Sequence, residues 1–180
     1  MILWISIIIG CIVLDQLTKW IVVNSMELYE SIVLIEKIFS FTYIPNYGAA
    51  WGMFSNHRWV FMVTTSVALI VMPIILYRYR KVHFLFSLSL SLFIGGAIGN
   101  MIDRIFVGYV VDFLEFTFID FPVFNVADIC VVFGAITMIA YALFFDKTFF
   151  VEKKETPVSV TTQEDTANDG TDQKNTDDGN

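Results

Sequence analysis

Cysteine and histidine are scarce in this chain, with two of each among 180 residues. Cys11 and Cys130 sit inside apolar runs, where they read as small buried hydrophobes rather than as a disulfide. His57 and His83 stand alone, and no His/Cys/carboxylate cluster has the spacing of a zinc site. There is no G-x-S-x-G turn, no Cys/His pair and no phosphate-cradling loop, so nothing offers a serine or cysteine nucleophile or a nucleotide site. Charge is also thin, once the C-terminus is set apart. Residues 155–180 hold seven acidic residues against Lys174, a balance of -6 within a total of -7, which leaves -1 for residues 1–154. The acidity belongs to the tail.

Apolar residues fill the space left by these absences. They make up 56% of the chain, aromatics 16%, and the mean hydropathy is +0.67. A soluble domain of this length cannot hide so much apolar surface, so lipid is the expected solvent. Four segments approach the roughly 20 apolar residues that a ~30 Å hydrocarbon layer demands: about 2–23, 59–77, 84–102 and 129–145. The shortest connection, between the second and third, carries Arg78, Arg80, Lys81 and His83, which predicts a cytoplasmic loop. Both termini are then cytoplasmic as well, in agreement with Lys147, Lys153 and Lys154. The connections at about 24–58 and 103–128 face outward, with Trp20, Tyr43, Tyr47, Trp51, Trp59 and Tyr109 as an aromatic belt. The first span lacks a basic leader and an A-x-A-like site, and its apolar run continues past Cys11, so it is read as a retained helix rather than a cleaved signal.

Within the outer loops Phe39, Phe41 and Tyr43 alternate with Ser40 and Thr42, the period of a half-buried strand, and Phe116-Thr117-Phe118 hints at another. The expected fold is an all-α membrane protein, a four-transmembrane-helix bundle with a small extracytoplasmic β-sheet. Residues 1–150 would form the membrane domain. The tail, 151–180, rich in Thr, Asp, Asn, Gly and Gln after Glu155, is expected to be disordered.

Ionisable groups near a bilayer are costly and commonly mark function. Here they cluster at the outer ends of the spans. Asp15-Gln16-x-x-Lys19 puts Asp15 and Lys19 on one helical face, able to pair either as a structural bridge or as a support for a site. Asn46-Tyr47-Gly48-Ala49-Ala50-Trp51-Gly52 combines small residues with an amide, which suits a plain turn as well as a close approach to a ligand. In Gly95-Gly96-Ala97-Ile98-Gly99-Asn100-Met101-Ile102-Asp103-Arg104, Gly95 and Gly99 form a G-x-x-x-G packing face. Asn100 and Asp103 share a side of that helix, whereas Arg104 points elsewhere, towards an anionic or carbonyl group.

Two carboxylates remain. Asn125, three residues before Asp128, reads as a helix cap with its acidic partner, and this accounts for Asp128 without invoking catalysis. Asp112, between Val110-Val111 and Phe113, has no such structural reason. Two carboxylates brought together cannot both ionise easily, so one keeps a proton while the other stays charged, the acid–base logic of aspartic proteases. Spacing alone does not bring Asp112 and Asp128 together, and intramembrane carboxylates serve ion transport equally well. A coupled transporter predicts midplane carboxylates and inverted repeats, which the sequence does not display. A non-enzymatic scaffold predicts outer motifs that tolerate substitution.

Taken in order, Asp15-Gln16-x-x-Lys19, Asn46-x-Gly48-Ala49-Ala50, Gly95-Gly96-x-x-Gly99-Asn100-x-x-Asp103-Arg104, Val111-Asp112-Phe113 and Phe124-Asn125-x-Ala127-Asp128 closely resemble bacterial lipoprotein signal peptidase (signal peptidase II) over about residues 10–145. The resemblance implies an aspartic endopeptidase of the bacterial cytoplasmic (inner) membrane, with its active site at the outer leaflet. The implied substrate is a diacylglyceryl-prolipoprotein, cut just before the lipidated cysteine. It implies Asp112 and Asp128 as catalytic residues, Asn46, Gly48, Asn100, Asp103, Arg104 and Asn125 as substrate-binding or supporting residues, and Asp15 and Lys19 as a supporting pair. Globomycin is implied as an inhibitor, and the protein is expected to act as a monomer amid membrane lipid, without metal, cofactor or nucleic acid. Trp51, where Phe is common, and the acidic tail depart from the family pattern.

Overall fold

The structure, a computed structural model, describes residues 1–48 and 58–145. The chain divides into two units, Met1–Phe149 and Phe150–Asn180, and every described residue belongs to the first. The expectations for Ala49, Ala50, Trp51, Gly52, His57, Lys147 and the tail fall outside the described residues.

Four helices, α1 (Ile2–Ser25), α2 (Arg58–Tyr79), α3 (Phe84–Phe106) and α4 (Val126–Phe144), follow the four apolar runs, and each is long and apolar enough to cross a membrane. Their ends obey polar chemistry rather than hydropathy. The α4 helix starts three residues before the expected 129 because Asn125 and Asp128 close a reciprocal capping box. The α3 helix runs four residues past the expected 102, since Asp103 and Arg104 find partners inside the protein.

Three antiparallel strands, β1 (Ser31–Ile35), β2 (Phe39–Asn46) and β3 (Val110–Phe116), form a sheet in the order β1-β2-β3. The alternation at Phe39, Phe41 and Tyr43 correctly located β2. The hint at Phe116-Thr117-Phe118 was misplaced: β3 ends at Phe116 instead of beginning there. Val110, Val111, Asp112 and Phe113 are all buried, so β3 lacks the two-residue period that betrays a strand. The first strand escaped notice for the opposite reason, because all five of its residues are exposed along the sheet edge.

The bundle is built around α3, which touches α1, α2 and α4; half of its apolar span is buried, against 17% or less for the others. At one end Trp4, Leu76, Leu90 and Ile94 make an apolar core, the Trp4 and Phe84 rings lie 5.3 Å apart, and His83 stacks 4.3 Å from Phe145. The N-terminus, the α2–α3 turn and the end of α4 are therefore neighbours. At the opposite end Val22 of α1 packs on Tyr43, Val111 and Phe113 of the sheet.

Between these cores the helices approach closely enough to require glycine. A Cβ at Gly99 would lie 2.5 Å from Asp15 Oδ2, one at Gly95 2.6 Å from Cys11 Cβ, and one at Gly96 against the Ala127 carbonyl. Gly95 and Gly99 thus admit α1, as the G-x-x-x-G spacing predicts, and Gly96 admits α4. The contact brings ions together: Lys19 Nζ lies 2.9 Å from both Asp15 Oδ2 and Asp103 Oδ2, with all three side chains buried.

Two substitutions test this packing by thermal unfolding of the purified protein in micelles. Gly99→Ala drives a methyl into the Asp15 carboxylate and is expected to destabilise by about 1–3 kcal/mol, the usual range for overpacking. Lys19→Met strands two buried carboxylates and should cost about 3–5 kcal/mol. A wild-type unfolding midpoint for Lys19→Met would show that the ion pairs do not hold α1 to α3.

Candidate active site

The end of the bundle nearest the sheet gathers the carboxylates. Asp112 lies mid-strand in β3, opposite Ile44 beside a register shift in β2, and is 2% exposed. Asp128 stands in the first turn of α4 and is half-buried. Asn125 joins them. Its Oδ1 accepts the Asp128 N–H at 3.0 Å and its own N–H donates to Asp128 Oδ2 at 3.2 Å, while its Nδ2 donates to Asp112 Oδ1 at 2.6 Å. The same amide also donates to Asn100 Oδ1 at 3.0 Å. One cap residue therefore starts a helix and grips both acids.

Each remaining carboxylate oxygen also meets an amide. Asn46 Nδ2, at the end of β2, donates to Asp112 Oδ2 at 2.8 Å, and Asn100 Nδ2 donates to Asp128 Oδ1 at 2.8 Å. The orientation of Asn100 is dictated from behind: its Oδ1 accepts from Lys19 Nζ at 2.9 Å and from Asn125, so only its NH₂ can face Asp128. Among the described residues every buried side-chain polar atom has a partner, as a charged cluster withdrawn from water requires.

Burial, and then the charge of Asp128, push the Asp112 carboxyl up to about 7. The amide donors Asn46 and Asn125 and the Lys19 ammonium work in the other direction and do not overcome it. A carboxyl that titrates near neutrality beside a second carboxylate can hold a proton while its neighbour accepts one.

Both acids line a cavity of about 350 Å³, together with Asn46, Gly48, Asn100 and Arg104. Its other wall is apolar, formed by Val110, Phe121, Pro122, Val123, Phe124, Val131 and Val132. Arg104 departs from Asp103, as its position in the helix predicts, and reaches carbonyls: Asn100 O at 3.2 Å and Gly48 O at 3.4 Å. Asn100 sides with both, through its carbonyl to Arg104 and through Lys19 to Asp103. Asp15, Lys19 and Asp103 stand behind the cavity. Asp15 Oδ1 accepts the Ala127 N–H at 2.9 Å and Asp103 Oδ2 the Val111 N–H at 3.0 Å, so this ionic group holds the backbone beside each carboxylate.

Sequence reasoning overlooked two contributors. Gln16, quoted in its motif but given no role, donates to Asp103 Oδ1 at 2.9 Å and Gly99 O at 3.2 Å. Its position beside Asp15 in a span was the available signal. The wall from Phe121 to Phe124 was also missed, although an apolar stretch directly before a helix cap marks chain that must pack against that helix's first turn.

A family described as signal peptidase (SPase) II matches residues 7–144. The lipoprotein signal peptidase of Brevibacillus brevis is 48% identical over 133 residues, covering 73% of this chain and 89% of that protein. That of Clostridioides difficile is 43% identical over 144 residues, 80% of this chain and 97% of its own. A solved structure, described as a bacterial membrane enzyme obtained by the in meso method at 2.3 Å resolution, matches with a TM-score of 0.73 and 33% identity, covering 85% of this chain and 93% of that one. The five motifs, the four spans and these matches agree: the chain belongs to the signal peptidase II family, aspartic peptidases that remove signal peptides from prolipoproteins at the bacterial membrane.

Proposed function

We propose that Asp112 and Asp128 are the acid–base pair of this peptidase, acting on the bond that precedes a diacylglyceryl-modified cysteine. The observation that carries this reading is one buried asparagine, Asn125, hydrogen-bonded to both carboxylates at the wall of one cavity. In the proposed step ionised Asp128 takes a proton from water, whose oxygen adds to the scissile carbonyl carbon. Asp112 gives its proton to the carbonyl oxygen. Collapse of the tetrahedral intermediate breaks the C–N bond, the proton held by Asp128 passes to the leaving nitrogen, and Asp112 recovers its own. The products are a signal-peptide carboxyl and a free cysteine amine. Arg104 and Asn46 hold the peptide backbone and stabilise the developing oxyanion.

The proposed orientation follows from how the ends are grouped. The N-terminus, the turn bearing Arg78, Arg80 and Lys81, and the end of α4 share one end of the bundle, which the positive-inside rule assigns to the cytoplasm. The sheet and the acid pair then lie at the outer leaflet, where a signal-peptide helix leaves the bilayer. Both carboxylates come from one chain, so a single copy suffices, and globomycin is expected to block the reaction.

A gel-shift assay of a lipidated prolipoprotein, with and without globomycin, tests the reading. Asp112→Asn and Asp128→Asn should each lower turnover by about a hundredfold or more, the scale of a general acid–base contribution. Near-normal cleavage by either variant would remove that residue from the pair.

The raised Asp112 carboxyl gives a second test. A folded-state pKa above the ordinary value contributes stability that is fully present below about pH 4 and is lost as pH rises through about 7. The unfolding midpoint of the wild type should therefore fall across this window, more steeply than that of Asp112→Asn. Turnover should decline above about pH 7 as the proton donor is lost, and a flat rate from pH 6 to 9 would contradict its role.

A further inference from the structure

A second cavity, of about 400 Å³, adjoins the first and shares Phe121, Phe124, Asp128 and Val132 with it. It is completed by Phe39 and Phe116, an adjacent pair at the end of the β2–β3 ladder, and by Leu114, Ile129 and Phe133. The rings form a shelf: Phe116 lies 5.8 Å from Phe39, 5.2 Å from Phe124 and 6.2 Å from Phe121. Val132 and Phe133 are more than half exposed on a membrane-spanning helix, so the groove opens sideways to lipid. Among the described residues, Asp128 is its sole polar lining residue.

We propose that this groove seats one acyl chain of the diacylglyceryl group on the substrate cysteine. The inference rests on the peptidase reading above. In that reaction the cysteine supplies the leaving nitrogen, and its sulfur is only two bonds from its Cα, so the lipid is tethered close to the carbonyl under attack. Its chains must leave past the wall that borders Asp128, and this groove begins there. Two other apolar cavities, one lined by Ile21, Met26 and Phe41 and the other by Thr64, Ala68 and Ala97, touch neither carboxylate.

Charge selects the occupant. A thioether-linked diacylglyceryl group is neutral and can lie beside the Asp128 carboxylate, whereas a phospholipid would bring its phosphate against that anion. A chain arriving from the bilayer gains nothing by leaving water, so the groove acts through contact with the rings, which adds to binding of the lipidated substrate.

The test uses the full chain in nanodiscs and a lipobox peptide whose cysteine carries a diacylglyceryl group with a diazirine on one acyl chain. Irradiation should label Phe39, Leu114, Phe116, Ile129 or Phe133. Label beside Ile21 and Phe41, beside Thr64 and Ala97, or spread over the outer helix faces as for bulk lipid, overturns the proposal. Independently, Leu114→Trp and Ile129→Trp fill the groove, and their fold is checked by thermal unfolding. Each should raise KM at least tenfold for a dipalmitoylglyceryl peptide at unchanged kcat, and leave KM for a diacetylglyceryl peptide within twofold. Equal effects on both peptides would sink the groove alone. Failure of the peptidase reading would show separately, as full cleavage by Asp112→Asn.

Discussion

The Lys19 ammonium is the constraint on which the site depends. It lies between Asp15 and Asp103 and also holds Asn100 Oδ1, so one charge binds α1 to α3 and turns the Asn100 NH₂ towards Asp128. Burying an ion is costly unless it is fully paired. The two carboxylates that pair Lys19 also take backbone N–H groups from Ala127 and Val111, each next to a proposed catalytic aspartate. The ionic group behind the cavity and the acid pair in front of it thus form one scaffold, with Asn100 and Asn125 as its crosspieces.

That scaffold is possible only because α3 is thin on two sides. Gly99 lets the Asp15 carboxylate lie against the helix backbone, and Gly96 lets the first turn of α4 do the same. Lipid supplies no hydrophobic force between helices, so close contact and buried polar bonds provide the adhesion. The serines of α3 extend the pattern: Ser89 donates to the Gly134 carbonyl of α4 at 2.7 Å. Among the described residues, the most buried helix also carries the most buried polar side chains: Ser87, Ser89, Ser91 and Asp103.

How much of this was legible in the sequence follows from what leaves a periodic trace. The four helices did, because lipid-facing surfaces demand long apolar runs, and the Asn125/Asp128 cap did, because its three-residue spacing is local. The G-x-x-x-G face did for the same reason. The strand carrying Asp112 did not, since it is buried on both faces, nor did β1, which is exposed throughout. Residues that meet only in three dimensions carry no spacing to read. Asn46 and Asp112, 66 positions apart, were joined by family resemblance first and by a 2.8 Å hydrogen bond afterwards. The phenylalanine shelf, assembled from three separate segments, left no linear pattern at all.

Asn125 ties the start of the fourth helix to the assembly of the proposed acid pair. The fourth helix cannot be capped without drawing Asp128 into place, and the amide that caps it is the one that grips Asp112. A substitution that spoils the cap therefore also spoils the geometry of the proposed catalytic pair.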